Sequence, residues 1–122
     1  MKKILIVEDQ PEVRELVQVT LSLGGFEILE ADSGSIGVAL ARHSHPDLIL
    51  MDAVMPGEID GFEATRRLRQ LPELSATTIL MLTARGQQRD LEMGRQAGAD
   101  GYITKPFSPL ALIKKVDEVL GQ

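Results

Sequence analysis

Three carboxylates, one hydroxyl and one ammonium stand where short apolar runs of this sequence end. Ile4-Leu5-Ile6-Val7 runs into Glu8-Asp9, and Leu48-Ile49-Leu50-Met51 runs into Asp52, ahead of Met55-Pro56-Gly57 and Asp60-Gly61. Ile79-Leu80-Met81-Leu82 ends in Thr83, and Gly101-Tyr102-Ile103-Thr104 ends in Lys105-Pro106. A carboxylate at the end of a buried strand is badly placed for stability and well placed for chemistry. If the three acids meet, they repel: at ~5 Å and an effective dielectric of about 20, each pair costs about 3 kcal/mol. A hard dication relieves that cost, and carboxylates, a backbone carbonyl and water suit Mg²⁺ or Mn²⁺. Lys105 adds a point charge for an anion and Thr83 a hydroxyl donor. Such a set fits phosphoryl transfer onto a carboxylate, with metal and lysine offsetting charge on the equatorial oxygens and Asp52 as nucleophile.

These residues can cooperate only if the strand ends lie on one edge. Between the apolar runs the period changes to that of a helix. Val13, Leu16, Val17, Thr20 and Leu21 share one helical face, with Pro11 in the first turn and Gly24-Gly25 as the stop. Phe26 to Ala31 reads as a second strand. Ser33 can cap a helix running to about Arg42, with Ile36, Ala39 and Leu40 inward. His45-Pro46-Asp47 turns into the third strand. Phe62, Thr65, Leu68 and Leu71 mark a third helix, and Pro72 to Ala76 a loop. Gln87 to Ala97 forms a fourth helix with a thin apolar face of Leu91, Gly94 and Ala97, ended by Gly98 as a left-handed cap. The last helix, Pro109 to Leu120, buries Leu112, Ile113, Val116, Val119 and Leu120.

Five strands and five helices thus alternate. Short, nearly continuous apolar strands imply a parallel sheet covered on both faces, an α/β doubly wound fold of three layers. With right-handed crossovers, the common order for five strands is the flavodoxin-like 2-1-3-4-5, whose ligands sit beyond the carboxyl ends at the switch point between strands one and three. That point is where Glu8, Asp9 and Asp52 would meet, with Thr83 and Lys105 beside them.

Composition agrees. The chain has 122 residues, a net charge of -5, 43% hydrophobic and 3% aromatic residues, and no cysteine. One domain spanning residues 1–122 with an aliphatic core is expected. The acidic balance argues against direct nucleic-acid binding, and the lack of a long apolar stretch against membrane insertion. Disulfides and thiol chemistry are excluded, which fits a cytoplasmic location. His43 and His45 read as loop residues. Arg66, Arg67, Arg69, Lys114 and Lys115 read as solvated helix faces.

Taken together and in order, Val7-Glu8-Asp9, Met51-Asp52 with Met55-Pro56 and Asp60-Gly61, Leu82-Thr83-Ala84, and Lys105-Pro106-Phe107 make the chain resemble the receiver domain of two-component response regulators, of the chemotaxis-regulator kind, over essentially its whole length. The resemblance implies that Asp52 is the phosphoacceptor. It implies that Asp9 and Asp52 ligate Mg²⁺ directly, with the Val54 carbonyl, and Glu8 through water. Thr83, the Ala84 backbone N–H and Lys105 would hold the phosphoryl oxygens, and the Lys105-Pro106 bond would be cis. Thr83 and Tyr102 would act as the switch that reshapes the face made by the fourth helix, fifth strand and fifth helix. One departure is visible: Gly57-Glu58-Ile59 is one residue longer than the usual link between Met-Pro and Asp-Gly, which leaves any contact of Glu58 or Asp60 open.

The expected function is a signalling switch, not an enzyme: a sensor histidine kinase or histidine phosphotransfer protein donates, Asp52 accepts, and a downstream output protein or fused output domain reads the change. The donor would dock on Pro11 and Val13 and on Pro106 and Phe107, the exposed apolar groups nearest Asp52. Three other readings compete with this one. An aspartyl-phosphate phosphohydrolase would carry a second Asp two residues after the nucleophile, where Val54 stands. A flavodoxin would need Ser, Thr and Gly donors where Glu8-Asp9 would repel phosphate. A receiver-fold scaffold that no longer signals by phosphate is the alternative that the intact acid set opposes.

Overall fold

The computed structural model describes residues 1–84 and 88–121. Five strands and five helices alternate: β1 (Lys3–Val7), α1 (Pro11–Ser22), β2 (Glu27–Ala31), α2 (Gly34–Ser44), β3 (Leu48–Asp52), α3 (Gly61–Arg69), β4 (Thr78–Ala84), α4 (Gln88–Ala97), β5 (Gly101–Lys105) and α5 (Pro109–Leu120). A single 3-10 turn, Pro72–Leu74, breaks the segment expected as loop and buries Leu74. Gln87, expected as the first residue of the fourth helix, lies outside the described residues. No helix is long and apolar enough to cross a membrane among those described.

All strands are parallel, in the order β2-β1-β3-β4-β5. The apolar residues of the strands divide with a period of two between the two faces. Leu5, Val7, Ile49, Met51, Ile79 and Met81 face α2 and α3, with Met93 of α4 packed beside them. Ile4, Ile6, Leu48, Leu50, Leu80 and Leu82 face α1 and α5 through Val17, Leu21, Leu112 and Val116. Both layers are aliphatic, and each fully buried Leu or Ile stabilises by roughly 1.5–3 kcal/mol relative to exposure.

Helix starts follow from side-chain chemistry. Ser33 caps α2 by accepting from the Ile36 N–H at 3.2 Å, Asp60 caps α3 from Glu63 N–H at 2.9 Å, and Ser108 caps α5 from Ala111 N–H at 3.1 Å. Asp60 therefore keeps a defined role despite the longer link before it. Gly57 absorbs the extra residue with φ +118°, and Ile59 is buried against the start of α2.

Five expectations need correction, the first being that His43, read as a loop residue, lies in the last turn of α2. In α2 the fully buried residues are Gly34, Gly37 and Ala41; Ile36 (49% exposed) and Ala39 point outward, whereas Leu40, half-buried, packs against the core as expected. The reason is proximity: a Cβ at Gly37 would sit 2.8 Å from a Val7 methyl, so α2 approaches β1 too closely for larger residues. Leu16 of α1 and Ile113 of α5 are exposed at the rims of their helical faces. Leu71 lies beyond the end of α3. Arg69 is no solvated side chain. Its Nε donates to the Gly98 carbonyl at 2.8 Å, its Nη1 to the Thr77 carbonyl at 2.8 Å, and it pairs with Asp100. Asp100 also accepts from the Ile79 N–H at 2.8 Å.

The tightest approach is at Gly61. A Cβ there would lie 1.9 Å from the Asp52 carbonyl oxygen, so the start of α3 rests on the end of β3 with no room for a side chain. Gly61 N–H also donates to the Ala53 carbonyl at 3.1 Å. Because the clash is with backbone, Gly61→Ala should destabilise by about 2–4 kcal/mol, at or above the usual cost of overpacking. Asp60→Ala, which only removes a cap, should cost about 1 kcal/mol. Urea unfolding of both variants checks the order; equal losses would mean that the contact under Gly61 relaxes freely.

Candidate functional site

The parallel register sets the site. Val7 pairs with Met51, Asp52 with Leu82, Thr83 with Thr104, and Ala84 with Lys105, so the ends of four strands are nearly level. Each chemically active residue is placed by the strand it ends. Glu8 and Asp9 leave β1, Asp52 closes β3, Thr83 and Ala84 close β4, and Lys105 closes β5. A carboxylate oxygen from each of Glu8, Asp9 and Asp52 lies within 4.8 Å of the others. Beside them is a cleft of about 250 Å³ bordered by Asp9, Asp52, Val54, Thr83, Ala84 and Lys105.

Glu8 is fully buried and Asp52 is only 5% exposed. Two buried carboxylates so close need a compensating cation. In this structure it is the Lys105 ammonium, whose Nζ donates to Glu8 Oε1 at 2.7 Å and to Asp52 Oδ1 at 3.1 Å. Glu8 Oε2 also accepts from the Gln10 N–H at 3.2 Å. The Lys105-Pro106 peptide bond is cis, as the resemblance implies.

The protonation balance is finely set. Burial raises the Asp52 carboxyl, the hydrogen bond and repulsion from Glu8 raise it further, and Lys105 opposes them; the result is about 7 against an ordinary 3.8. Burial by itself would lower the Lys105 ammonium, but its hydrogen bond to Glu8 and its attraction to Asp52 outweigh that and hold it above its usual value. A cation entering among the acids would take over the compensating role. The donor set, three carboxylates with backbone carbonyls nearby, fits a hard divalent ion.

Thr83 supplies an independent sign of a ligand. Its Oγ1 is buried at the wall of the cleft and has no hydrogen-bond partner among the described residues. A buried hydroxyl left without a partner costs on the order of 1–3 kcal/mol. An anion beside Asp52 would satisfy it.

The remaining sequence candidates fall in three places. The Val54 side chain is exposed at the lip of the cleft. Tyr102 is 47% exposed and borders a second groove, of about 300 Å³, between α4 and the sheet, which Thr83 and Met81 reach from inside. Val13 and Phe107 are half-buried, while Pro11 and Pro106 are exposed. Val13, Pro106 and Phe107 line an apolar groove of about 380 Å³ with Gln10, Leu16 and Lys105; Pro11 is not part of its lining. Periodicity assigns Leu16 to the core, but it borders this groove instead.

The family model for the response regulator receiver domain matches residues 4–117 of the chain. The chain belongs to the response regulator receiver domain family. Receiver domains are signalling modules that gain and lose a phosphoryl group, not enzymes in the usual sense. The protein PilH of Pseudomonas aeruginosa is 42% identical over 121 residues, which is 99% of this chain and 99% of PilH. The phosphate regulon transcriptional regulatory protein PhoB of the same organism is 42% identical over 98% of this chain, but the match spans only 52% of PhoB. The receiver domain of a P. aeruginosa sensor histidine kinase, solved with a magnesium ion coordinated in its active-site cleft, is 32% identical with a TM-score of 0.90, covering 99% of this chain and 98% of that one. The five-stranded architecture and the acidic cluster of this receiver domain are those of a phosphoacceptor and cation site.

The buried charge sets how metal-free stability depends on pH. Below about pH 4, Asp52 is protonated in both the folded and unfolded chain and contributes no slope. Between its unfolded value of 3.8 and its folded value of about 7, only the folded state keeps the proton, so stability falls as pH rises. Asp52→Asn has the shape of the protonated acid and no such loss. In EDTA the variant should match the wild type near pH 4 and exceed it by on the order of 1–3 kcal/mol at pH 8, the shift discounted for relaxation. Urea melts across that range give the difference directly. A difference that does not change with pH would mean that the acids do not interact as the geometry indicates.

Proposed function

We propose that Asp52 is the phosphoacceptor, that Glu8, Asp9, Asp52 and the Val54 carbonyl hold Mg²⁺ or Mn²⁺, and that Thr83, the Ala84 N–H and Lys105 receive the phosphoryl oxygens. The observation that carries this reading is the convergence of three carboxylates and one ammonium on a cleft whose wall holds a hydroxyl unpartnered among the described residues. When bound, the divalent ion supplies charge compensation to the phosphoryl oxygens. Asp52 Oδ attacks phosphorus as the bond to the donor's nitrogen breaks. Lys105, already within hydrogen-bond reach of Asp52, turns its ammonium toward the incoming oxygens. Asp52 must be ionised to act, and a cation among the acids favours that form by opposing the Glu8 repulsion that raises its pKa.

The signal is a change of packing. Thr83 reaches both the cleft and the groove under Tyr102. A hydroxyl drawn toward a phosphoryl group leaves space on the groove side, and the exposed Tyr102 ring can turn into it. Small displacements of this kind are amplified where packing has two arrangements. α4 is suited to follow, because only Gly94 and Ala97 of its described residues are buried. The α4, β5 and α5 face is therefore the readout surface for an output protein or a fused output domain. With acetyl phosphate and Mg²⁺ the chain should gain one phosphoryl group by intact mass, and amide signals of α4, β5 and α5 should shift in the same sample. Asp52→Asn should abolish labelling, and Lys105→Ala should slow it on the order of 10²-fold. Wild-type labelling of Asp52→Asn would remove the assignment, and shifts confined to the cleft would remove the readout face.

The donor is a phosphohistidine on a sensor histidine kinase or histidine phosphotransfer protein. It must approach along the carboxyl edge, where the groove of Val13, Leu16, Pro106 and Phe107 offers an apolar seat for a helix beside Lys105. Val13→Glu should slow transfer from such a donor by roughly 10-fold, a truncated interface anchor being worth more than 1 kcal/mol. Acetyl-phosphate labelling of the same variant should stay within about 2-fold of wild type. Equal loss in both assays would place Val13 in the fold and not in docking.

A further inference from the structure

We infer that Arg14 is a positioning residue for the acid pair, holding the Glu8–Asp9 turn in the conformation in which Glu8, Asp9 and Asp52 face one cation. The inference rests on the cation-site reading of those acids. β1 ends at Val7, and the Glu8 N–H makes its last ladder bond, to the Ala31 carbonyl at 3.0 Å. The Glu8 carbonyl lies past that point. Arg14, one turn into α1, reaches back to it: Nη1 donates to the Glu8 oxygen at 2.8 Å. The same guanidinium is forked, with its Nε 3.3 Å from Glu30 Oε1 on the edge strand β2. Glu30 thus orients Arg14, and Arg14 fixes the peptide that joins Glu8 to Asp9.

That peptide matters because it leads directly into Asp9. Glu8 is also pinned at its carboxylate, by Lys105 at 2.7 Å and the Gln10 N–H at 3.2 Å. The Asp9 carboxylate makes no hydrogen bond among the described residues, so what the Glu8 contacts can hold in place is the backbone that carries it. Contacts that orient a metal ligand from behind typically change metal affinity 10- to 100-fold when removed. The guanidinium donates to the Glu8 carbonyl through Nη1 while its Nε side pairs with Glu30, whereas a lysine ammonium at the same position offers one point charge and no fork.

Two other roles for Arg14 make different predictions. If Arg14 acted only as a positive charge near the acids, removing it would make the site more negative and bind a cation more tightly. If it only stabilised the fold, removal would lower the urea midpoint and leave cation affinity unchanged. Positioning predicts weaker binding in a chain that still folds.

The test is Mn²⁺ binding to the full chain, read by the electron paramagnetic resonance signal of free Mn²⁺, with urea melts in EDTA as the folding control. Arg14→Ala should weaken Mn²⁺ binding about 10-fold. Arg14→Lys should restore only part of it, and Glu30→Gln, which leaves Arg14 in place but unsteered, should show a smaller loss than Arg14→Ala. Unchanged or tighter binding in Arg14→Ala, or full rescue by Arg14→Lys, would overturn the inference. If Arg14→Ala fails to fold, the Lys and Gln variants decide alone. Absence of Mn²⁺ binding by the wild type is a different result: it removes the cation-site reading itself, and this inference with it.

Discussion

Lys105 Nζ lies 2.7 Å from Glu8 and 3.1 Å from Asp52, and this one ammonium joins the ends of β1, β3 and β5. Its place in the structure arises from a conflict. The register of a parallel sheet brings β1 and β3 to the same edge, and each ends in an acid. Burial then makes their repulsion expensive, since water cannot screen them. A cation must be present among them, and the chain carries its own. Buried ion pairs are poor devices for stability, because desolvation offsets most of the attraction. Here the arrangement gives a carboxylate whose protonation and partner can both be exchanged, which a well-paired surface aspartate could not offer.

The frame that holds this conflict in place is rigid where it needs to be. Both faces of the sheet are aliphatic and closed, and the close contacts are made by glycines. Gly61 lets α3 begin directly on the Asp52 carbonyl, and Gly37 lets α2 lie against Val7. Neither position has the left-handed φ that glycine uniquely tolerates; what each requires is the absence of a Cβ. Two helices thus close in on the ends of β1 and β3 from one face, and the cleft lies beside Asp52. The longer link of Gly57-Glu58-Ile59 is absorbed on the far side of this contact, with Ile59 buried over Gly34, and Asp52 stays in register with Leu82.

Much of this is legible in the residues alone, for a physical reason. Short apolar runs with charged ends have few ways to form a buried parallel sheet, and strand order is limited by handedness. The meeting of Glu8, Asp9, Asp52 and Lys105 needs nothing more than that. What is not legible concerns distance between elements. Periodicity finds a helical face but not how near its neighbour lies, so it places Ile36 and Ala39 inward where small residues are required. Contacts from side chains to backbone carbonyls carry no pattern either. Arg69 reads as one of several exposed arginines, yet it reaches the carbonyls of Gly98 and Thr77. Arg14 is hidden in the same way. An arginine shortly after a turn that exposes carbonyls is the only signal available, and it is a weak one. Thr83 can be named as a donor, but its lack of a partner appears only once the cleft is built.

Arg69 also bears on how a site at one edge can alter a surface elsewhere. It binds the loop after α4 to the end of α3 and, through Asp100, to the start of β4. Those attachments lie at the amino edge of the sheet, opposite the cleft. α4 is thus tied firmly near its carboxyl end, while along its length only Gly94 and Ala97 of the described residues are buried against the sheet. Few buried apolar contacts along its length place α4 among the less stable elements of the fold. A groove of about 300 Å³ lies between α4 and the sheet, bordered by Thr83 and Tyr102. The buried charge and the Arg69 anchor thus stand at opposite edges of the sheet, one beside the cleft and the other at the carboxyl end of α4.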